Sequence, residues 1–149
     1  MNPLQPIGRF AGVAPVVLRL ILGVIMTAHG WQKLTTLGPA GVSARLLQPL
    51  GVPFPTVFGF VLVYGELLGG LALIVGLLTR LAALAFTVDL VLAFALVKVN
   101  VGLIAPPGAG SGAELDLALI AGFLALVFLG PGRPSLDHAL GLERTAVPA

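Results

Sequence analysis

Cysteine is absent from the 149-residue sequence, and charged side chains are scarce, at 9% of the residues. Without a thiol the chain cannot form disulfides, bind metal through thiolates or carry out thiol redox chemistry by itself. Soluble domains are roughly 25% charged, because their surfaces face water. This chain is 58% hydrophobic with a mean hydropathy of +1.09, so it lacks the polar residues that such a surface needs. The composition predicts a membrane protein covered by the lipid bilayer.

Other missing features exclude further classes of ligand. The net charge is only +2 and Lys and Arg do not cluster, so no nucleic-acid interface is expected. His29 is the single histidine within an apolar segment, and the carboxylates do not cluster with it, which argues against haem and zinc. No Gly-x-x-x-x-Gly-Lys nucleotide loop occurs. We therefore expect no intrinsic metal or cofactor.

Four apolar segments are present that approach the roughly 20 residues needed to cross a bilayer as a helix. The predicted spans are residues 14–33, 55–78, 80–100 and 114–130. The second and third spans meet at Thr79 and Arg80 with almost no loop, which predicts an antiparallel hairpin. The expected fold class is an all-α membrane protein, a four-transmembrane-helix antiparallel bundle that forms one domain over residues 1–149.

Two shorter helices are predicted outside the spans. The loop after the first span is rich in Gly and Pro, with room for one interfacial helix at about 42–48. After the fourth span, Pro131 and Pro134 end the helix, because proline supplies no backbone donor. Ser135 is placed to cap a short surface helix over residues 136–142. The chain is expected to fray from Glu143 onward.

The distribution of positive charge predicts the orientation in the membrane. An even number of spans puts both termini on the same side, and the side with more Lys and Arg faces the cytoplasm. The terminal side carries Arg9, Arg80, Arg133 and Arg144, and the other side carries Lys33, Arg45 and Lys98. Four against three favours cytoplasmic termini in a bacterial inner membrane.

Several ionisable residues lie within the predicted spans. Each costs about 2.5 to 3.5 kcal/mol on insertion scales, so such residues usually face a partner or a wet cavity. Glu66 shares its helical face with Gly59, Gly69 and Gly70, and small residues mark the faces on which membrane helices pack. By the same spacing argument, three further residues are expected to face inward: Arg19, Asp89 and Glu114. By contrast, Arg80 and Lys98 are expected to snorkel to the interfaces.

His29 and Lys33 are four residues apart and share a helical face. Both residues lie near the side of the membrane opposite the termini, where the inward-facing polar residues are expected to be most numerous. The candidate ligand-binding or polar-pocket residues are Arg19, His29, Lys33, Glu66, Asp89 and Glu114, and no catalytic residue is predicted. Two alternatives remain open: a pocket for a small polar or quinone-like ligand, or interhelical ion pairs that only fix the register of the helices. For His29 alone, an interfacial anchor beside Trp31 is the simpler interpretation.

Six fragments of the sequence together resemble the DoxX family, DoxD-like small bacterial membrane proteins. They are "RLILG" from Arg19, "HGWQKL" from His29, "GVPFP" from Gly51, "ELLGGLALIVGLLTRLAAL" from Glu66, Glu114 at the start of the last span, and "GPGRPSLD" from Gly130. The resemblance implies a four-helix bundle in a membrane complex that passes electrons from sulfur compounds to quinone, or that withstands oxidative stress. It also carries over five of the six site residues; Asp89 depends on the helical-face argument alone.

Our leading functional hypothesis is a membrane subunit or anchor of a quinone-linked redox or oxidative-stress complex. Such a protein binds a quinone, is not an enzyme on its own, and has a soluble or membrane redox partner. One alternative is a small-solute transporter or permease, for which four spans would have to assemble into a homo-oligomer. The other is a purely structural membrane interaction protein.

Overall fold

The computed structural model describes residues 10–99, 101–106, 108 and 110–143. This part of the chain is helical, without β-strands. The helices, after a short 3-10 turn at Ala11–Val13, are α1 (Ala14–Thr36), α2 (Gly38–Val42), α3 (Pro55–Val75), α4 (Thr79–Ala93), α5 (Ala113–Leu129) and α6 (Leu136–Ala139). Two π-helical turns continue α2 and α4, at Ser43–Leu47 and Phe94–Lys98.

Helices α1 and α3 form the most extensive contact in the structure and run antiparallel. Glycine lets their backbones approach: a Cβ built on Gly30 would lie 2.4 Å from the nitrogen of Leu67. Seven residues earlier in α1, a Cβ on Gly23 would lie 2.8 Å from the carbonyl oxygen of Gly70. The predicted packing face of α3 is thus present, and it fixes which α1 side chains stand opposite Glu66.

Helix α4 packs along α5, again antiparallel, and its side chains complete the core. Phe86 of α4 packs against Phe123 of α5, with the two rings tilted and their centroids 5.2 Å apart. Gly69 of α3 leaves room for the Phe86 ring. The buried core consists of Leu22, Met26, Leu73, Ala83, Phe86, Leu90, Leu119, Phe123 and Leu126, which come from all four long helices. The core lies midway between two groups of charged residues at opposite ends.

Among the described residues, three helices are long and apolar enough to cross a membrane: Ala11–Thr36, Pro55–Val75 and Thr79–Lys98. Helix α5 has 17 residues, which is shorter than the other three. Every long helix also exposes large apolar side chains that are more than half accessible, among them Val24, Leu68, Leu81 and Phe128. Such surfaces are suited to lipid rather than to water.

The helix ends differ from the predicted ones for local reasons. The second span ends at Val75 rather than at Leu78, because Gly76 takes a left-handed conformation and closes the helix. The interfacial helix extends over Gly38–Val42 and Ser43–Leu47. In α6, Ser135 Oγ accepts the N–H of His138 at 3.3 Å, which confirms the predicted cap, but the helix ends at Ala139. Arg9, Asn100 and Arg144 lie outside the described residues.

Candidate functional site

An ion pair joins α1 to α3 at the end of the bundle where α1 finishes. Lys33 Nζ donates a hydrogen bond to Glu66 Oε1. The close contact of Gly30 with Leu67 sets this pairing. Lys33 lies about one helical turn after Gly30, and Glu66 directly precedes Leu67. The Glu66 side chain is only 6% exposed and that of Lys33 is 26% exposed. The second carboxylate oxygen, Glu66 Oε2, is buried and has no hydrogen-bond partner among the described residues.

Three further ionisable residues surround this pair. Asp89 of α4 lies within electrostatic range of both Glu66 and Lys33. His29 lies within range of Lys33 and of Asp116 on α5. Asp116 Oδ2 is a second buried carboxylate oxygen without a partner among the described residues. We call these five residues, His29, Lys33, Glu66, Asp89 and Asp116, the Lys33–Glu66 cluster.

Arg19, a predicted member of the same site, lies about 21 Å farther along α1, given a rise of 1.5 Å per residue. Its guanidinium is buried, and its hydrogen-bond partners among the described residues are all backbone carbonyls. Nε donates to Pro131 O at 2.9 Å and Nη1 to Leu73 O at 3.1 Å; further bonds reach Ile74 O and Pro134 O. Arg19 thus ties the end of α3 to the segment after α5 and does not join the Lys33–Glu66 cluster.

Asp137 completes this second group of charges and is not among the site residues predicted from the sequence. Its buried carboxylate accepts the N–H of Leu78 at 2.6 Å and the N–H of Thr79 at 2.9 Å. These donors open α4, so Asp137 caps that helix from a distant part of the chain. Leu78 has a φ of 49°, a left-handed conformation that leucine rarely adopts, and the bond to Asp137 holds it there.

Arg80 and Glu143 form an ion pair at the same end. Arg80 also donates to the carbonyls of Val127 and Phe128, which are among the last carbonyls of α5. Arg80 was expected to extend to the interface, but it is held by these hydrogen bonds. Glu143 was expected to lie in a frayed end, but the ion pair holds it in place. We call Arg19, Arg80, Asp137 and Glu143 the Arg19–Asp137 network.

Glu114 points away from the predicted pocket. Its side chain is exposed, and Oε1 accepts the N–H of Gly112 at 3.2 Å. The small-residue stripe that suggested an inward Glu114 is itself largely accessible, with Ala118 and Ala121 exposed. The buried face of α5 instead follows Leu119, Phe123 and Leu126, and Asp116 is the acidic residue three positions before it. Large apolar residues at helical spacing were the signal that could have identified Asp116.

The comparisons with known proteins agree with the sequence resemblance. Residues 14–99 match the model of the DoxX family, which is more than half of the chain. The chain belongs to the DoxX family. It is 30% identical over 138 residues to the "Uncharacterized membrane protein Rv3486" of Mycobacterium tuberculosis, covering 88% of this chain and 83% of that relative. It is 35% identical over 133 residues to the "Inner membrane protein YqjF" of Escherichia coli, covering 86% and 92%. No solved structure matches it.

The DoxX match covers only part of the two charged groups. Arg19, Lys33, Glu66 and Asp89 fall inside it, whereas Asp116 on α5 lies beyond its end. This DoxX protein is a membrane protein, as its relatives are. Within the described residues, no group of three or more His, Asp or Glu side chains is arranged to hold a metal ion.

Proposed function

We propose that this DoxX protein is the membrane subunit or anchor of a quinone-linked redox or oxidative-stress complex, and that the Lys33–Glu66 cluster binds the ring of the quinone. The observation that carries the proposal is the buried Oε2 of Glu66 beside Lys33, which has no hydrogen-bond partner in the part of the chain that the structure describes. A purely structural ion pair would be expected to satisfy both carboxylate oxygens, because an orphaned charged acceptor is costly in an apolar interior.

The cluster has the groups that a quinone ring needs. An ammonium can donate hydrogen bonds to a ring carbonyl, and one bond to Glu66 leaves Lys33 with two further donors. His29 can donate or accept, depending on its tautomer. Lys33 is partly exposed, so a ligand can reach it from the edge of the bundle. The apolar side chains around the long helices suit the isoprenoid tail of a lipid-soluble ligand.

The electrons would be supplied by a partner. The chain has no cysteine, and the described residues include no metal-binding group, so the protein is proposed as a non-catalytic subunit. The partner would be a soluble or membrane redox protein. The Lys33–Glu66 cluster would then determine where in the bilayer the quinone is held.

The proposal includes a topology. We place α5 across the membrane as the fourth span, because its 17 residues meet the lower limit of about 17 for a transmembrane helix. The Arg19–Asp137 network contains Arg80 and lies near Arg133, so it is assigned to the cytoplasmic side of a bacterial inner membrane by the positive-inside rule. The Lys33–Glu66 cluster would then lie toward the outer face.

Ligand carried through purification tests the function. The protein would be extracted in mild detergent, washed, and analysed for bound quinones by mass spectrometry. Quinone should accompany the wild type and be lost from Glu66→Gln, while Glu143→Gln at the opposite end should retain it. Absence of quinone from the wild type would contradict the proposal. Uptake of a small solute by proteoliposomes, abolished by Glu66→Gln, would favour a permease instead.

A further inference from the structure

We infer that the Lys33–Glu66 cluster binds the reduced form of its ligand, a quinol with ring hydroxyls, more tightly than the oxidised quinone. This inference rests on the proposed function and names the redox form that the same site selects. It follows from which atoms of the cluster lack hydrogen-bond partners among the described residues. With both carboxylates ionised, Glu66 Oε2 and Asp116 Oδ2 are acceptors, and both are buried.

A quinone and a quinol differ in what they offer to such oxygens. The ring oxygens of a quinone are carbonyls, which only accept, so they cannot satisfy either carboxylate oxygen. The hydroxyls of a quinol donate, and a bond from O–H to a carboxylate is of the short, charge-assisted kind. The quinol therefore gains an interaction at Glu66 that the quinone lacks.

Net charge favours the same form. The cluster holds three carboxyl groups, those of Asp89, Glu66 and Asp116, against the single ammonium of Lys33. A carbonyl oxygen carries partial negative charge and is repelled by this excess. A hydroxyl presents its positive hydrogen and is attracted to it.

The position of Glu66 fits direct contact with a ligand. Its side chain is only 6% exposed, so bulk water cannot substitute fully for a missing donor. Its other oxygen is held by Lys33, which fixes the carboxylate in one orientation. Glu66→Gln would keep the volume and the oxygen that faces Lys33, while the amide NH2 would replace the free oxygen. An acceptor site would thereby become a donor site.

The experiment compares the two redox forms directly. Purified protein in detergent would be equilibrated with decylubiquinone or, under anaerobic conditions, with decylubiquinol, and bound ligand would be measured by chromatography. The wild type should bind the quinol about tenfold more tightly, the ratio expected from one charge-assisted hydrogen bond. The midpoint potential of the bound couple should then be about 30 mV higher than that of the free couple, since tenfold corresponds to 29.6 mV for two electrons.

Variants make the inference falsifiable. Glu66→Gln should reduce the ratio to about one or reverse it. Asp116→Asn should lower it by less and provides a second measurement if Glu66→Gln does not fold. Glu143→Gln, which lies in the other charged group, should keep the wild-type ratio.

The outcomes separate the two proposals. Equal binding of both forms by the wild type, lost in Glu66→Gln, would overturn the inference and leave the proposed function standing. Failure of the wild type to bind either form would overturn both. Two competitors for the bound quinol would also be compared: decylammonium and additional quinol. If decylammonium displaced the bound quinol at the lower concentration, the inference would be overturned, because the site would be one for organic cations.

Discussion

The two ends of this DoxX bundle treat buried charge in opposite ways. In the Arg19–Asp137 network, Arg19 donates to four backbone carbonyls and Asp137 accepts two backbone N–H groups. In the Lys33–Glu66 cluster, charged side chains face one another, and Glu66 and Asp116 each keep a buried oxygen without a partner among the described residues. One end therefore uses charge to complete the backbone, and the other leaves charge available.

The difference separates structural from functional candidates. A charge that satisfies backbone groups at helix ends stabilises the fold and has little capacity left for a ligand. A charge that is buried and incompletely bonded weakens the fold unless something else binds there. We therefore expect substitutions in the Arg19–Asp137 network to act on stability, and substitutions in the Lys33–Glu66 cluster to act mainly on binding.

Replacement of Arg19 should have the largest effect on stability. Arg19→Met keeps an apolar stem but removes the donors to the carbonyls of α3 and of the segment after α5. Since each buried group left unsatisfied costs about 1 to 3 kcal/mol, we expect a loss of about 3 kcal/mol or more. Thermal unfolding in detergent measures it, with the exposed Arg45→Met as the matched control. Equal melting temperatures for the two variants would refute the assigned role of Arg19.

Breaking the Lys33–Glu66 pair should have a smaller effect on stability. Lys33→Met leaves Glu66 buried without its cation, but Lys33 is partly exposed, so solvent screening reduces the expected loss to about 1 to 2 kcal/mol. The double variant Lys33→Met with Glu66→Leu should recover wild-type stability, because apolar residues can replace a buried ion pair without loss. Both variants should lose bound quinone. A double variant less stable than Lys33→Met would show that this pair is structural.

Asp137 should have a moderate effect. Asp137→Asn retains one acceptor for the N–H groups of Leu78 and Thr79 and loses the other, so we expect a loss of about 1 kcal/mol, as for a helix cap. Asp137→Ala removes both acceptors and should be worse. Unfolding curves of the three proteins in the same detergent would rank them. Quinone binding should stay unchanged, and a variant that is stable but cannot bind would contradict the separation of the two ends.

Composition and helical periodicity predicted the long helices and the small-residue packing face of α3, because a stripe of small residues depends only on local spacing. The pairing of Lys33 with Glu66 needed one further fact, the register of two helices, which the Gly30 contact determines. The partners of Arg19 could not be predicted, because they are carbonyls more than fifty positions away. The prediction that Glu114 faces inward was wrong, because the small residues on α5 are accessible, whereas its large apolar residues form the buried face.

The orientation of the chain in the membrane can be tested with the substitutions that should affect stability least. The native chain has no thiol, so a single cysteine reports its own location. Leu140 is 63% exposed beside the Arg19–Asp137 network, and Gln48 is exposed in the loop at the opposite end. Neither Leu140→Cys nor Gln48→Cys should change the free energy of unfolding by more than about 0.5 kcal/mol, as is usual for surface positions.

In spheroplasts, an impermeant maleimide should label Gln48→Cys at once and Leu140→Cys only after the membrane is permeabilised. That pattern would place the Lys33–Glu66 cluster toward the outer face, so a redox partner that reaches its ligand from the aqueous phase would have to be extracytoplasmic. The reverse pattern would contradict the positive-inside assignment, whose margin is a single charge. It would leave the geometry of both ends unchanged and move the ligand site to the cytoplasmic half of the bilayer, where a cytoplasmic partner would have direct access.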